Sequence, residues 1–194
     1  MSGNLKVAHS INRERDLWEN MKSGNKNALE RIYDQNAPSL ISYGRQMTPN
    51  SALVDDCIQE LFVDIWLKRD RLTSTSSIRF YLLKALKLRI LRALEKNKKD
   101  QYINDFPPFF FESLSNLKQE DSDNELEQKL HKALLSLSEI QREIIYLKFY
   151  NKLSFAEIED LLNLTRKQLY NAISKAMAKM RDLISIVFLM LLNS

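Results

Sequence analysis

The sequence predicts an all-α protein in two helical units, and three observations predict it. Apolar residues recur at helical spacing along most of the chain. Strand-like alternation bounded by glycine or proline is nearly absent. The composition then shifts once: residues 100–128 hold eight acids (Asp100, Asp105, Glu112, Glu120, Asp121, Asp123, Glu125 and Glu127) against Lys118 alone, in a chain of 194 residues and net charge +4. With the pair Pro107 and Pro108 inside it, this stretch reads as an acidic linker over 99–125. It separates a front bundle, 13–98, from a rear helical domain, 126–183, which an apolar tail, 184–194, follows.

Residues 13–22 and 25–47 read as two helices separated by the turn SGN. The third, 53–67, carries one wide apolar face of Leu53, Val54, Cys57, Ile58, Leu61, Phe62, Ile65 and Trp66, which must bury against its neighbours. Its opposite face shows Asp55, Asp56, Gln59, Glu60 and Asp64, acidic in a basic chain. Such a strip is either solvated or docked on a basic partner helix. The fourth helix, from about Ser77 to Lys96, places Leu83, Leu86, Ile90 and Leu94 on one side and Lys84, Arg89, Arg92 and Lys96 on the other. Residues 73–99 hold eight cations against Glu95, which suits a phosphate backbone.

Within the linker, Phe109, Phe110 and Phe111 are too apolar for a purely solvated spacer, and they are expected to dock on this chain or on a partner. Beyond it come helices at 126–136, 139–150, 154–162 and 166–183. Three starts carry capping boxes: Ser138 with Gln141, Ser154 with Glu157, and Thr165 with Gln168. Only Asn163 and Leu164 link the last two helices, and Asn tolerates the left-handed conformation that ends a helix.

Those two helices read as a helix-turn-helix. Phe155, Ile158, Leu161 and Leu162 face Leu169, Ile173, Ala176 and Met180. The outward face carries Arg166, Lys167, Gln168, Tyr170, Asn171, Ser174, Lys175, Lys179 and Arg181, with no acid between 164 and 181. A solvated basic face on an ordinary hairpin is the alternative. The short turn, the paired caps and the acid-free surface together favour DNA, with amides and lysines set for base edges and phosphates.

Other function classes are poorly served. Gly3, Gly24 and Gly44 are the only glycines, too few and too scattered for a phosphate-cradling loop. Cys57 is the one cysteine, and His9 and His131 are the only histidines, so neither a disulfide framework nor a Cys/His metal site is expected, and no cofactor. Asp55 and Asp56 are adjacent on a helix, so their side chains diverge by about 100° and share no reacting centre. No enzyme is expected. The start, MSGNLKVAHSINRERD, has no apolar core of signal-peptide length, and no run reaches the roughly 18 apolar residues of a membrane span. A cytoplasmic protein, not a membrane protein, is expected.

The strings VDDCIQELFVDIWLKRDRL, SSIRFYLLKALKLRILRALEK and LSLSEIQREIIYLKFYNKLSFAEIEDLLNLTRKQLYNAISKAMAKMR closely resemble the extracytoplasmic-function sigma factors of the sigma-70 family. The resemblance runs from about residue 15 to residue 183, and SLSEIQREI with NAISKAM is most similar to Bacteroidetes-type members. It implies that the front bundle is sigma region 2 and the rear domain region 4. It implies that Asp56, Gln59 and Glu60 grip the clamp helices of the largest subunit of core RNA polymerase. It implies that the fourth helix (Arg79, Lys84, Lys87, Leu88, Arg92) and the loop Leu72–Ser77 open the minus-ten element of promoter DNA and capture a flipped base. The outward face of the last helix would then read the minus-thirty-five element.

The chain departs from the family at three points. Leu88 stands where Asn is common and Arg92 where Asp is common, which bears on minus-ten specificity and on promoter melting. Asn163 stands where Gly is common. An anti-sigma factor, typically membrane-bound, is the further partner implied. The tail string LISIVFLMLL, residues 183–192, reaches only about 15 Å as a helix, so it is expected to pack on region 2 or on that partner. The reading of a different class is a stand-alone helix-turn-helix regulator, which has no need of the acidic strip.

Overall fold

A computed structural model describes the backbone of residues 13–98 and 136–192 and the side chains of 13–96 and 136–181. The described residues are helical and include no strand. The chain divides between Pro107 and Pro108 into two compact units. The acidic linker 99–125 with its three phenylalanines, and most of the helix expected at 126–136, lie outside the described residues.

In the first unit, α1 covers 13–22, α2 Lys26–Met47, α3 Ser51–Leu67 and α4 Ile78–Lys98, with a short 3-10 turn at Arg69–Arg71. Asparagines set two of the starts. The Asn25 side chain accepts from the Ala28 N–H at 3.2 Å, and that of Asn50 accepts from the Leu53 N–H at 3.1 Å. Each satisfies a donor that the first turn of a helix leaves orphaned. The helices α2, α3 and α4 pack on one another around Ile32, Leu40, Tyr43, Val54, Leu61, Leu83, Leu86 and Ile90, all essentially inaccessible to solvent. Each such aliphatic side chain contributes about 1.5–3 kcal/mol by leaving water.

The closest approach is at Gly44 on α2. A Cβ there would lie 2.5 Å from Cγ1 of Val54 on α3 and 3.3 Å from Cδ1 of Ile90 on α4. The missing side chain is what lets three helices meet at this level.

The second unit contains α5 (Glu139–Ile145), α6 (Phe155–Leu162) and α7 (Arg166–Leu192). All three predicted capping boxes are formed. The N–H groups of Ser138, Ser154 and Thr165 donate to the side-chain oxygens of Gln141 (2.9 Å), Glu157 (2.7 Å) and Gln168 (2.8 Å). In two places the elements differ from expectation. The helix expected over 139–150 is α-helical only to Ile145 and closes with a π turn, Tyr146–Tyr150, whose rings at 146 and 150 stack at 4.8 Å. A π turn shifts its hydrogen bonds to i−5, as the Asn151 N–H to Tyr146 carbonyl bond does, and over five residues the apolar spacing does not reveal it. The last helix continues to Leu192 instead of ending near 183, because LISIVFLMLL offers no proline, glycine or cap to stop it.

Asn163 adopts φ 52°, ψ 44°, the left-handed cap that its residue type suggested, and the Leu164 N–H closes back on the Glu159 carbonyl at 2.9 Å. Leu137 and Ala176 are buried together, with Ile145 and Met180 against them, holding the start of α5 to α7.

Gly44→Ala should lower stability by about 1–3 kcal/mol, the usual cost of overpacking, despite alanine's better helix propensity. The midpoint of urea unfolding at constant slope measures it; an unchanged or raised midpoint would contradict the close packing at this point.

Candidate functional site

On α3 the outward residues Asp55, Asp56, Gln59 and Glu60 are exposed, while Val54, Cys57, Ile58, Leu61 and Phe62 beneath them are buried. The predicted strip is therefore presented by a helix anchored along its whole inner face. One member behaves differently: Asp64, 35% exposed, is engaged by cations of its own unit. Its carboxylate accepts from the Arg89 guanidinium of α4 and pairs with Lys68 at 3.0 Å. The Arg89 hydrogen bond first, then the Lys68 one, holds the Asp64 carboxyl below its ordinary range. Arg89 also approaches Glu60 to 3.7 Å, yet the Glu60 side chain stays 71% exposed. Arg89, one of the eight cations expected to face phosphates, is thus committed to α3. Beyond Gln59 at i+4 spacing, Val63 and Leu67 are 57% and 66% exposed, an apolar continuation of the strip that a search for charges overlooks.

Of the residues expected to meet minus-ten DNA, Arg92 is exposed and Arg79, Lys84 and Lys87 are partly covered, Lys84 with its ammonium 5.7 Å from the Phe80 ring. Leu88 is 46% exposed on this basic side, as its position on the helical wheel implied. The loop of residues 72–77 has hydroxyls already in use. The Ser74 hydroxyl donates to Glu19 at 2.6 Å, the Thr75 hydroxyl donates to the Ser77 carbonyl and accepts from the Ser77 N–H, and the Ser77 hydroxyl accepts from the Phe80 N–H. Two further bonds come from α1. The Trp18 indole N–H donates to the Thr73 carbonyl at 2.9 Å, and the Ile78 N–H donates to Glu14 at 3.2 Å. Nothing local in the sequence marks Glu14, Trp18 and Glu19, because their partners lie 55 to 64 residues away.

In the second unit Arg166, Lys167, Gln168, Tyr170, Asn171, Ser174 and Lys175 are all exposed on α7, and Leu169 and Ala176 are buried behind them. Three side chains have additional tasks. The Gln168 oxygen accepts from both the N–H and the hydroxyl of Thr165, which leaves its NH₂ as the group able to donate outward. The Tyr170 ring lies 5.6 Å from Phe155 and 5.8 Å from the Arg166 guanidinium. Lys179, expected on the outward cationic face, instead donates to the Ser136 carbonyl at 2.6 Å and closes the domain on itself.

Comparison with known proteins gives the following. A family model for sigma-70 region 2 matches residues 32–100, and one for sigma-70 region 4 matches residues 127–180. No curated relative matches the chain. Among solved structures, CnrH in complex with the cytosolic domain of CnrY is 22% identical, with a TM-score of 0.57 over 89% of this chain and 97% of that one. The sigma factor RpoE in complex with the anti-sigma factor NepR from Bartonella quintana is 18% identical, with a TM-score of 0.52 over 83% and 96%. At these identities the likeness is one of fold. Among the described residues no helix is long and apolar enough to cross a membrane.

The depressed Asp64 pKa sets a sign for acid sensitivity. The folded protein binds this proton less tightly than the unfolded chain, so the contribution is present above the ordinary carboxylate pKa, near 4, and is lost as pH falls through the lower folded value. Asp64→Asn should therefore destabilise at pH 7 while flattening the loss of melting temperature between pH 5 and pH 3. Parallel pH profiles for the two proteins would show that Asp64 is not coupled to Arg89.

Proposed function

Because the chain belongs to the sigma-70 family and carries both its region 2 and its region 4, we propose that it is an alternative sigma factor of extracytoplasmic-function type that binds core RNA polymerase and directs initiation at a specific set of promoters. The observation that carries this reading is the coincidence of two surfaces with two matched regions. The region 2 match includes α3 with its exposed acidic strip, and the region 4 match includes the acid-free outward face of α7.

In this reading Asp56, Gln59 and Glu60 dock on the clamp helices of the largest polymerase subunit. A rigid helix offering carboxylates and an amide suits a basic partner helix, and Arg89 keeps the neighbouring Asp64 out of the interface. Arg79, Lys84, Lys87, Leu88 and Arg92 lie along minus-ten DNA, with Leu88 offering an apolar contact where its relatives offer an amide. Arg166, Lys167, Gln168, Tyr170, Asn171, Ser174 and Lys175 enter the major groove of the minus-thirty-five element. The protein positions polymerase and catalyses no reaction of its own. Its place of action is the cytoplasm, where polymerase and promoter are.

An anti-sigma factor belongs to the same proposal. The complex of RpoE with an anti-sigma factor supports such a partner. In this reading, resting on the family resemblance alone, the partner is membrane-bound and covers regions 2 and 4 until a signal releases them. A stand-alone regulator built on the helix-turn-helix is not favoured, since it has no use for the acidic strip of α3.

Reconstitution tests the proposal directly. The protein should share a gel-filtration peak with core polymerase, and separate elution of the two would sink the sigma reading. Asp56→Lys or Glu60→Lys should abolish that peak while leaving the melting temperature nearly unchanged; retained affinity would place the interface elsewhere. Alanine at Lys167, Gln168 or Asn171 should cost about 1–3 kcal/mol on the cognate minus-thirty-five sequence and relax discrimination there. A uniform loss on every sequence would mark these residues as phosphate anchors.

A further inference from the structure

We propose that α1 holds the minus-ten loop in its reading conformation, with Glu19 acting through Ser74 and Trp18 acting through Thr73 as positioning residues for base discrimination. The inference rests on the sigma reading, since only there does the loop of residues 72–77 meet a promoter base.

The loop itself has little means of staying ordered. Five of its six residues, 73–77, are serine or threonine, and none of the six is fully buried. Apolar burial does not fix it, and ordering such a segment costs conformational entropy at every residue. The order comes from outside. Trp18 is completely buried, packs edge-on against Tyr81 of α4 with ring centroids 5.0 Å apart, and uses its indole N–H on the Thr73 carbonyl. The next residue, Glu19, accepts the Ser74 hydroxyl, and Lys22, one turn further on, pairs with the same carboxylate at 3.0 Å. Glu14, one turn earlier, accepts the Ile78 N–H where α4 begins. Three contacts from α1 therefore fix three points: Thr73, Ser74 and the first residue of α4.

The chemistry is directional. A carboxylate has no proton to donate, so Glu19 dictates that Ser74 points its O–H inward and leaves only oxygen lone pairs toward a ligand. Ser74 then presents an acceptor to a base, suited to an exocyclic amino group. Without Glu19 the hydroxyl rotates freely and serves as donor or acceptor alike. The loss falls on discrimination between bases, not on binding to polymerase.

The test uses the full chain with core polymerase and a promoter selected by the wild-type holoenzyme from a library randomised at the minus-ten element. The readout is open-complex formation on that promoter relative to templates with single minus-ten substitutions, alongside core affinity. Glu19→Ala should reduce discrimination about tenfold with core affinity and melting temperature retained. Glu19→Gln, whose amide oxygen still accepts the Ser74 hydroxyl, should restore most of it, and Glu19→Ala combined with Ser74→Ala should be no worse than Ser74→Ala alone. Wild-type discrimination in Glu19→Ala, an equal loss in Glu19→Gln, or additive losses in the double variant would overturn the positioning role while leaving the sigma reading intact. A wild-type protein that neither binds core nor selects a promoter would overturn both, and core affinity separates the two cases.

Discussion

The front unit depends on the contact at Gly44. Three helices can present chemistry on their outer faces only if their inner faces close without voids, and one tight point of closure is where Val54 and Ile90 meet the bare backbone of α2. At that contact side chains of both α3 and α4 reach the same residue of α2. Interiors are packed nearly as densely as organic crystals, so a single methyl at this point would have to move both neighbours.

The ion pairs between α3 and α4 then divide the charge. An isolated view of α3 counts five polar or acidic side chains on one face, and an isolated view of α4 counts a row of cations. Packed together, Asp64 and Arg89 satisfy each other, and Lys68 adds a second cation to the same carboxylate. Partly exposed pairs of this kind contribute modestly to stability. Their effect is selective: they remove two charges from the surfaces and leave Asp55, Asp56, Gln59 and Glu60 on one helix and Arg92 on the other, with Leu88 beside it.

The rear unit reaches its shape by a different route, through local chemistry. Two hydroxyl caps and one left-handed asparagine fix the ends of α6 and the start of α7, and the two helices bury Ile158, Leu161 and Leu169 between them. Because the caps are local, the outward face of α7 has its orientation set by a few residues on either side of the turn. The same economy gives Gln168 two tasks, with its oxygen used inward on Thr165 and its nitrogen left for the outward face.

Sequence by itself determined what depends on neighbours within a few positions: the all-helical class, the helices of the front unit to within a residue or two, all three capping boxes, the left-handed Asn163, the exposed strip at Asp56, Gln59 and Glu60, and the exposed set on α7. Caps and amphipathic faces act over three or four residues, so they are written in the string. The tertiary structure alone decided which charges remain available and what holds the loop of residues 72–77. Arg89 meets Asp64 across 25 residues, Lys179 meets Ser136 across 43, and Trp18 and Glu19 meet Thr73 and Ser74 across 55. The π turn after α5 likewise went unread, since five residues are too few for their spacing to distinguish it from a last turn of α-helix. A hydrogen bond or ion pair between distant residues depends on how helices pack, and no local pattern of apolar and polar residues encodes that partner.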